Sequence, residues 1–201
     1  MNLEKGDTRL IIDMCKKHGL LRNQAAYVLA TAWHESAHTM RPVMEYGGTA
    51  YLKAKKYWPY VGRGYVQITW LENYQKASKA LGVDFVKFPK MLMEPKYAAP
   101  ILVVGMKEGW FAGDKKGRHR LDRYITLQKS DYTGARRIVN GTDKAGLIAT
   151  YAHAYEADLK REGYGSAVPT VPQPSTPQVL EPSGGLLAIL INLFKAIFGR
   201  T

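Results

Sequence analysis

Asn23-Gln24-Ala25-Ala26-Tyr27-Val28-Leu29-Ala30-Thr31-Ala32-Trp33-His34-Glu35-Ser36 is the stretch on which the fold turns. Ala25, Val28, Leu29, Ala32 and Trp33 recur at the spacing of a helix, with Asn23 placed to cap it. Val28, Thr31, Ala32 and Glu35 share one face, so Glu35 is expected at the margin of an apolar stripe. Comparable patterns predict helices from Asp7 or Thr8 to His18, Trp70 to Leu81, Pro95 to about Trp110, Asp131 to Val139 and Asp143 to Arg161. Gly19 and Gly82 stand where helices stop, and Pro100 predicts a bend or boundary. Leu147, Ile148, Tyr151, Tyr155 and Leu159 mark the buried stripe of the last helix. Strand-like alternation is confined to Tyr65 to Thr69. The expected class is mainly α.

The 201 residues suit one domain with an appendage. The composition shifts at Gly163: five of the ten prolines fall between Ser166 and Gly185. The predicted division is a folded domain over 1–165, a Pro/Ser-rich linker over 166–185 and a hydrophobic tail helix over 186–201. Leu186 to Phe198 would form a helix of about 20 Å, short of the ~30 Å hydrocarbon core, so an interfacial position on an anionic membrane is expected.

Lys and Arg number 29 against 17 Asp and Glu, giving +12. Lys195 and Arg200 against Glu181 leave +1 after Gly165, so the remaining +11 lies in the folded domain. Such a field draws polyanions, and the basic run from Lys107 to Arg137 suits a solvated face. No nucleic-acid motif accompanies it, which favours an acidic cell surface over nucleic acid as partner. Cys15 is the single cysteine and reads as a small buried residue. Met1 to Asp7 lack the regions of a signal peptide, so synthesis in a cytoplasm is expected.

Chemistry concentrates between Glu35 and Tyr74. Burial would favour the protonated form of a carboxyl at a helix margin and suit it to proton donation. Glu45, in a loop after Pro42, is expected to be solvated, ionised and free to act as a base. Trp58 and Tyr60 offer aromatic faces for sugar rings. His34-Glu35-Ser36-Ala37-His38 also matches a zinc-protease pattern, with both histidines on one helix face. Arg41 stands where the longer form of that pattern has glycine, and Arg41-Pro42 ends the helix too early. Neither a metal nor a cofactor is expected.

His34-Glu35-Ser36, Glu45, Gly62-Arg63-Gly64-Tyr65-Val66-Gln67-Ile68-Thr69, Asn73-Tyr74 and Arg137-Ile138-Val139-Asn140-Gly141 together resemble the family 19 glycoside hydrolases. That family comprises plant-type chitinases and many phage endolysins, and the resemblance runs from about Leu20 to about Gly163. The short segment between Glu45 and Gly62 and the missing cysteines resemble the lysin branch. The resemblance implies a lysozyme-like helical domain with a catalytic cleft, Glu35 as general acid, Glu45 as general base and Thr69 as holder of the attacking water. It implies sugar contacts from Gln67, Asn73, Tyr74, Arg63 and Asn140. Inversion, the family's outcome, needs the two carboxyls about 6.5–9.5 Å apart. The function expected is that of an endolysin cleaving peptidoglycan glycan strands as a monomer, released from the host cytoplasm to the wall by a separate membrane-permeabilising protein. Chitinase activity, zinc proteolysis and a non-catalytic wall- or membrane-binding role are the alternatives.

Overall fold

The structure, a computed structural model, describes residues 1–111 and 118–165. The linker and tail expected over 166–185 and 186–201, and with them the membrane helix Leu186 to Phe198, lie outside the described residues. Met1–Gly165 forms one compact unit and is mainly helical. Its elements are α1 (Thr8–Lys17), α2 (Arg22–Glu35), β1 (Val43–Met44), α3 (Thr49–Lys53), β2 (Arg63–Gly64), α4 (Leu71–Leu81), α5 (Pro95–Glu108), α6 (Leu121–Tyr124), α7 (Tyr132–Ala135) and α8 (Ala145–Arg161). Two 3-10 turns, Pro89–Met93 and Arg136–Ile138, complete the described set. Among the described residues, no helix is long and apolar enough to cross a membrane.

α2 is the axis. Its whole run from Ala25 to Ala32 is buried, not one stripe of it, and it packs against α8, α1 and α5. Four alanines in that run let neighbouring helices close around it on every side. Asn23 does not cap α2, which begins one residue earlier. Its amide donates to Thr126 O (2.7 Å) and Ser130 Oγ (2.9 Å), while Gln24 Oε1 accepts the Leu21 N–H (3.1 Å). Asp7 likewise makes no side-chain cap on α1. Its carboxylate accepts from the Tyr65 hydroxyl (2.8 Å) and pairs with Arg41 (3.2 Å), joining the start of α1 to a turn nearly sixty residues away.

Helix α5 runs on through Pro100, correcting the expected boundary. The predicted helix from Asp131 to Val139 is instead a short α-turn passing into a 3-10 turn, with the Asp131 carboxylate accepting Gly134 N–H (2.8 Å). On α8, Ile148, Tyr155 and Leu159 are buried as expected, but Leu147 is exposed. The strand predicted over Tyr65 to Thr69 is displaced. β1 pairs antiparallel with β2, Val43 opposite Gly64, and Arg63 and Ile68 exchange backbone bonds of 3.1 and 2.9 Å across the turn between them.

That turn stitches two apolar clusters together. Tyr65 and Val66 belong to the larger, around α2, α5 and α8; Ile68 belongs to the smaller, with Tyr74, Ala77, Phe85, Leu92 and Ile101. The loop from Ser36 to Met40 is fixed from the other side by Gly6. A Cβ there would lie 2.5 Å from Thr39 O and 2.6 Å from Met40 O, and Gly6 has φ +54°. Gly6→Ala is therefore expected to lower unfolding free energy by about 1–3 kcal/mol in denaturant titration. Unchanged stability would mean the N-terminus does not brace this loop.

Candidate active site

Glu35 closes α2, with Ser36 as its C-cap. Beyond it, Ala37 (φ +48°), His38 (+64°) and Met40 (+55°) are left-handed, a conformation that disfavours side chains with a Cβ. The buried Ser36 Oγ accepts Met40 N–H (3.0 Å) and helps hold this strained turn. His38 is consequently off the helix. It stacks on Trp33, ring centroids 4.7 Å apart, so His34 and His38 do not share the face the zinc pattern requires. Among the described residues, no three His, Cys, Asp or Glu side chains form a metal-binding group. Burial lowers the proton affinity of the His34 imidazole below its ordinary value.

Sequence reasoning gave Glu35 an apolar margin and no charged neighbour. The structure supplies one: Arg136 Nη1 donates to Glu35 Oε1 at 2.6 Å. Arg136 is only 2% exposed in its side chain, against 19% for Glu35, and its Nε donates to Asp143 O (2.9 Å). Oε2 of Glu35 has no hydrogen-bond partner among the described residues. By sequence Arg136 belongs to the basic run expected to be solvated, and no local pattern separates it from its neighbour Arg137, which is exposed.

Glu45 is half-buried and held, not free as expected. The Tyr57 hydroxyl donates to Oε1 (2.6 Å) and Gly62 N–H to Oε2 (3.0 Å), while Glu45 N–H donates to Gly62 O (2.7 Å). The bond to Glu45 pushes the Tyr57 phenol up to about 12, which keeps it a donor. A carboxylate accepts about four hydrogen bonds, so two positions stay open. Tyr57, and the half-exposed Trp70 whose ring meets it edge-on at 5.1 Å, were not assigned to the site from sequence.

The glycine-rich turn works as a bracket under Glu45. Gln67 (φ +53°) donates through Nε2 to Val43 O (2.7 Å), tying the turn to β1, which ends just before Glu45. A Cβ on Gly62 would lie 2.8 Å from Gln67 Oε1, so a larger residue there would push this amide out of its present position. Thr69 Oγ1 donates to Gln67 O (2.8 Å), and Asn73 Nδ2 to Thr69 O (2.7 Å). Gln67, Thr69 and Asn73 are all half-buried.

Two expected sugar contacts are corrected. Tyr74 is fully buried, its hydroxyl donating to Val61 O (2.6 Å), and burial raises the phenol to about 12. Arg63 is also buried, and its Nη1 donates to Tyr74 Oη, to Pro59 O (3.1 Å) and to Val61 O (3.3 Å). Both side chains brace the segment before the turn and do not reach its surface. Tyr60 is half-buried against Tyr74, while Trp58 is 40% exposed. Asn140 is exposed, with its backbone N–H on Arg136 O (3.0 Å) and its Oδ1 accepting Gly141 N–H (2.9 Å).

The candidate site residues thus fall into two groups: Glu45 with Tyr57, Gly62, Gln67, Thr69 and Asn73, and Glu35 with Arg136, Asp143 and Asn140. Among the described residues, no hydrogen bond joins the two groups. No family model matches the chain, and no curated protein is significantly similar to it. The site is therefore argued from its own geometry. Arg136→Ala is expected to cost about 3–5 kcal/mol of stability, because it breaks a buried ion pair. Arg137→Ala, on the exposed neighbour, should stay within about 0.5 kcal/mol. Equal effects of the two substitutions in thermal or denaturant unfolding would contradict the pairing.

Proposed function

We propose that this protein is a glycoside hydrolase that cleaves the β-1,4 bond between N-acetylmuramic acid and N-acetylglucosamine in peptidoglycan, with inversion. One observation carries the reading: strained backbone gathers around two separately anchored carboxylates. Among the described residues, six non-glycine residues have positive φ. Ala37, His38 and Met40 follow Glu35; Gln67 and Trp70 flank Thr69; Lys144 follows Asp143, the residue that accepts Arg136 Nε. Such strain collects where function requires it, since each position disfavours the fold by about 1–3 kcal/mol.

In this reading Oε2 of Glu35 gives a proton to the glycosidic oxygen as the bond to the anomeric carbon breaks. Glu45 takes a proton from a water whose oxygen forms the new bond on the opposite face. Tyr57 and Gly62 orient Glu45 while leaving acceptor capacity for that water. The Thr69 proton is committed to Gln67 O, so toward the water Thr69 acts as an acceptor. Gln67 spends its amide donors on backbone carbonyls and acts as a positioning residue. Asn73 keeps its Oδ1 for a sugar hydroxyl or acetamide N–H. The basic surface favours acidic wall over neutral chitin.

Glu35→Gln and Glu45→Gln should each reduce release of soluble fragments from purified peptidoglycan by at least about 100-fold. Circular dichroism should show both variants folded, because glutamine keeps an oxygen for Arg136 or Tyr57. Activity within a few-fold of the parent in either variant would remove that carboxylate from the mechanism. The proposal extends, on sequence grounds, to Leu186 to Phe198 as an anchor on anionic membrane. Truncation after Gly165 should then leave hydrolysis of purified wall nearly unchanged and weaken binding to anionic vesicles; undiminished vesicle binding would refute the anchor.

A further inference from the structure

A groove of about 990 Å³ lies away from both carboxylates, walled by α1, α4 and α5. It gathers Lys17, Lys76, Lys79, Lys96 and Lys107, all exposed, over a floor that includes Pro100, Val104 and Trp110. Two of the lysines are engaged: Lys107 Nζ donates to His18 O (2.9 Å) and Lys96 pairs with Glu94 (2.8 Å). Lys17, Lys76 and Lys79 have no carboxylate partner among the described residues, and Glu108, the one acid in the lining against these five lysines, accepts the Trp110 indole N–H (2.9 Å). Helix ends explain part of this charge, since Lys17, Lys79 and Lys107 lie in the last turns of their helices. They do not explain Lys76, nor why three helices bring their cations to one concavity.

We propose that this groove binds a linear phosphate-bearing polymer without bases, a polyol- or sugar-phosphate chain. Ammonium groups spaced along a trough act as point charges that suit successive tetrahedral phosphates. The lining contains no arginine, so its cations are all point charges on flexible stems, which can follow successive charges along a chain. Single-stranded nucleic acid is held by rows of aromatic side chains under its bases. Among the described residues of this groove, Trp110 supplies the one Trp, Tyr or Phe ring, and its N–H is already taken. The apolar floor suits the hydrocarbon faces of a polyol or sugar. The inference stands whether or not the carboxylate pair cuts glycan.

The full chain is titrated with poly(glycerol phosphate) by calorimetry at several salt concentrations. Lys17→Gln/Lys76→Gln/Lys79→Gln should weaken binding at least about tenfold and reduce the salt slope by about one per lysine. Lys53→Gln/Lys90→Gln/Lys160→Gln, which removes the same charge elsewhere, should weaken it far less. All these lysines are exposed, so each variant should fold like the parent, as circular dichroism would check. Equal losses in the two triple variants, no binding by the parent, or tighter binding of oligothymidylate of matched charge overturns the proposal.

Discussion

The contact on which the site depends most is the one between Arg136 and Glu35. A guanidinium that is almost wholly withdrawn from water needs a charge partner and acceptors for its remaining N–H groups. Glu35 supplies the charge and Asp143 O one acceptor, so the end of α2 and the segment from Arg136 to Asp143 are held to each other across a hundred residues of chain. That pairing fixes which way the end of the central helix is used. It also leaves one oxygen of Glu35 uncommitted, the feature on which a proton-transfer role rests.

The second carboxylate is placed by a different device. Glu45 lies in a stretch with almost no regular structure, where packing alone would leave it loose. Its orientation comes from hydrogen bonds to Tyr57 and Gly62 and from the Gln67 amide fastened to Val43 O. The turn that supplies them is anchored in two apolar clusters at once, through Tyr65 and Val66 on one side and Ile68 on the other. Asp7 adds a further fastening by accepting the Tyr65 hydroxyl. Small shifts between the clusters would therefore be felt at Glu45, while Glu35 answers to the α2–α8 packing.

The helices were legible because apolar residues repeat at helical spacing over ten or more positions, and α1, α2, α4, α5 and α8 all lie close to where that spacing puts them. Local rules failed where a side chain was claimed by a distant partner. Asn23 and Asp7 are cap residues by type, yet Thr126, Ser130, Tyr65 and Arg41 use them instead. Arg63 and Tyr74 are expected as sugar contacts, but bonding to each other and to backbone carbonyls allows both to be buried. Arg136 could not be distinguished from Arg137 by any local pattern. The zinc pattern failed for a backbone reason: left-handed residues after Ser36 turn His38 away from the helix face that periodicity assumed.

Two carboxylates acting as an acid and a base around a water would cleave the bond in a single displacement, with no covalent intermediate. Proton NMR of the first product formed from a β-1,4-linked wall oligosaccharide tests this directly. The newly formed reducing end should appear first as the α-anomer and then relax by mutarotation. A first product in the β configuration would show retention and contradict it.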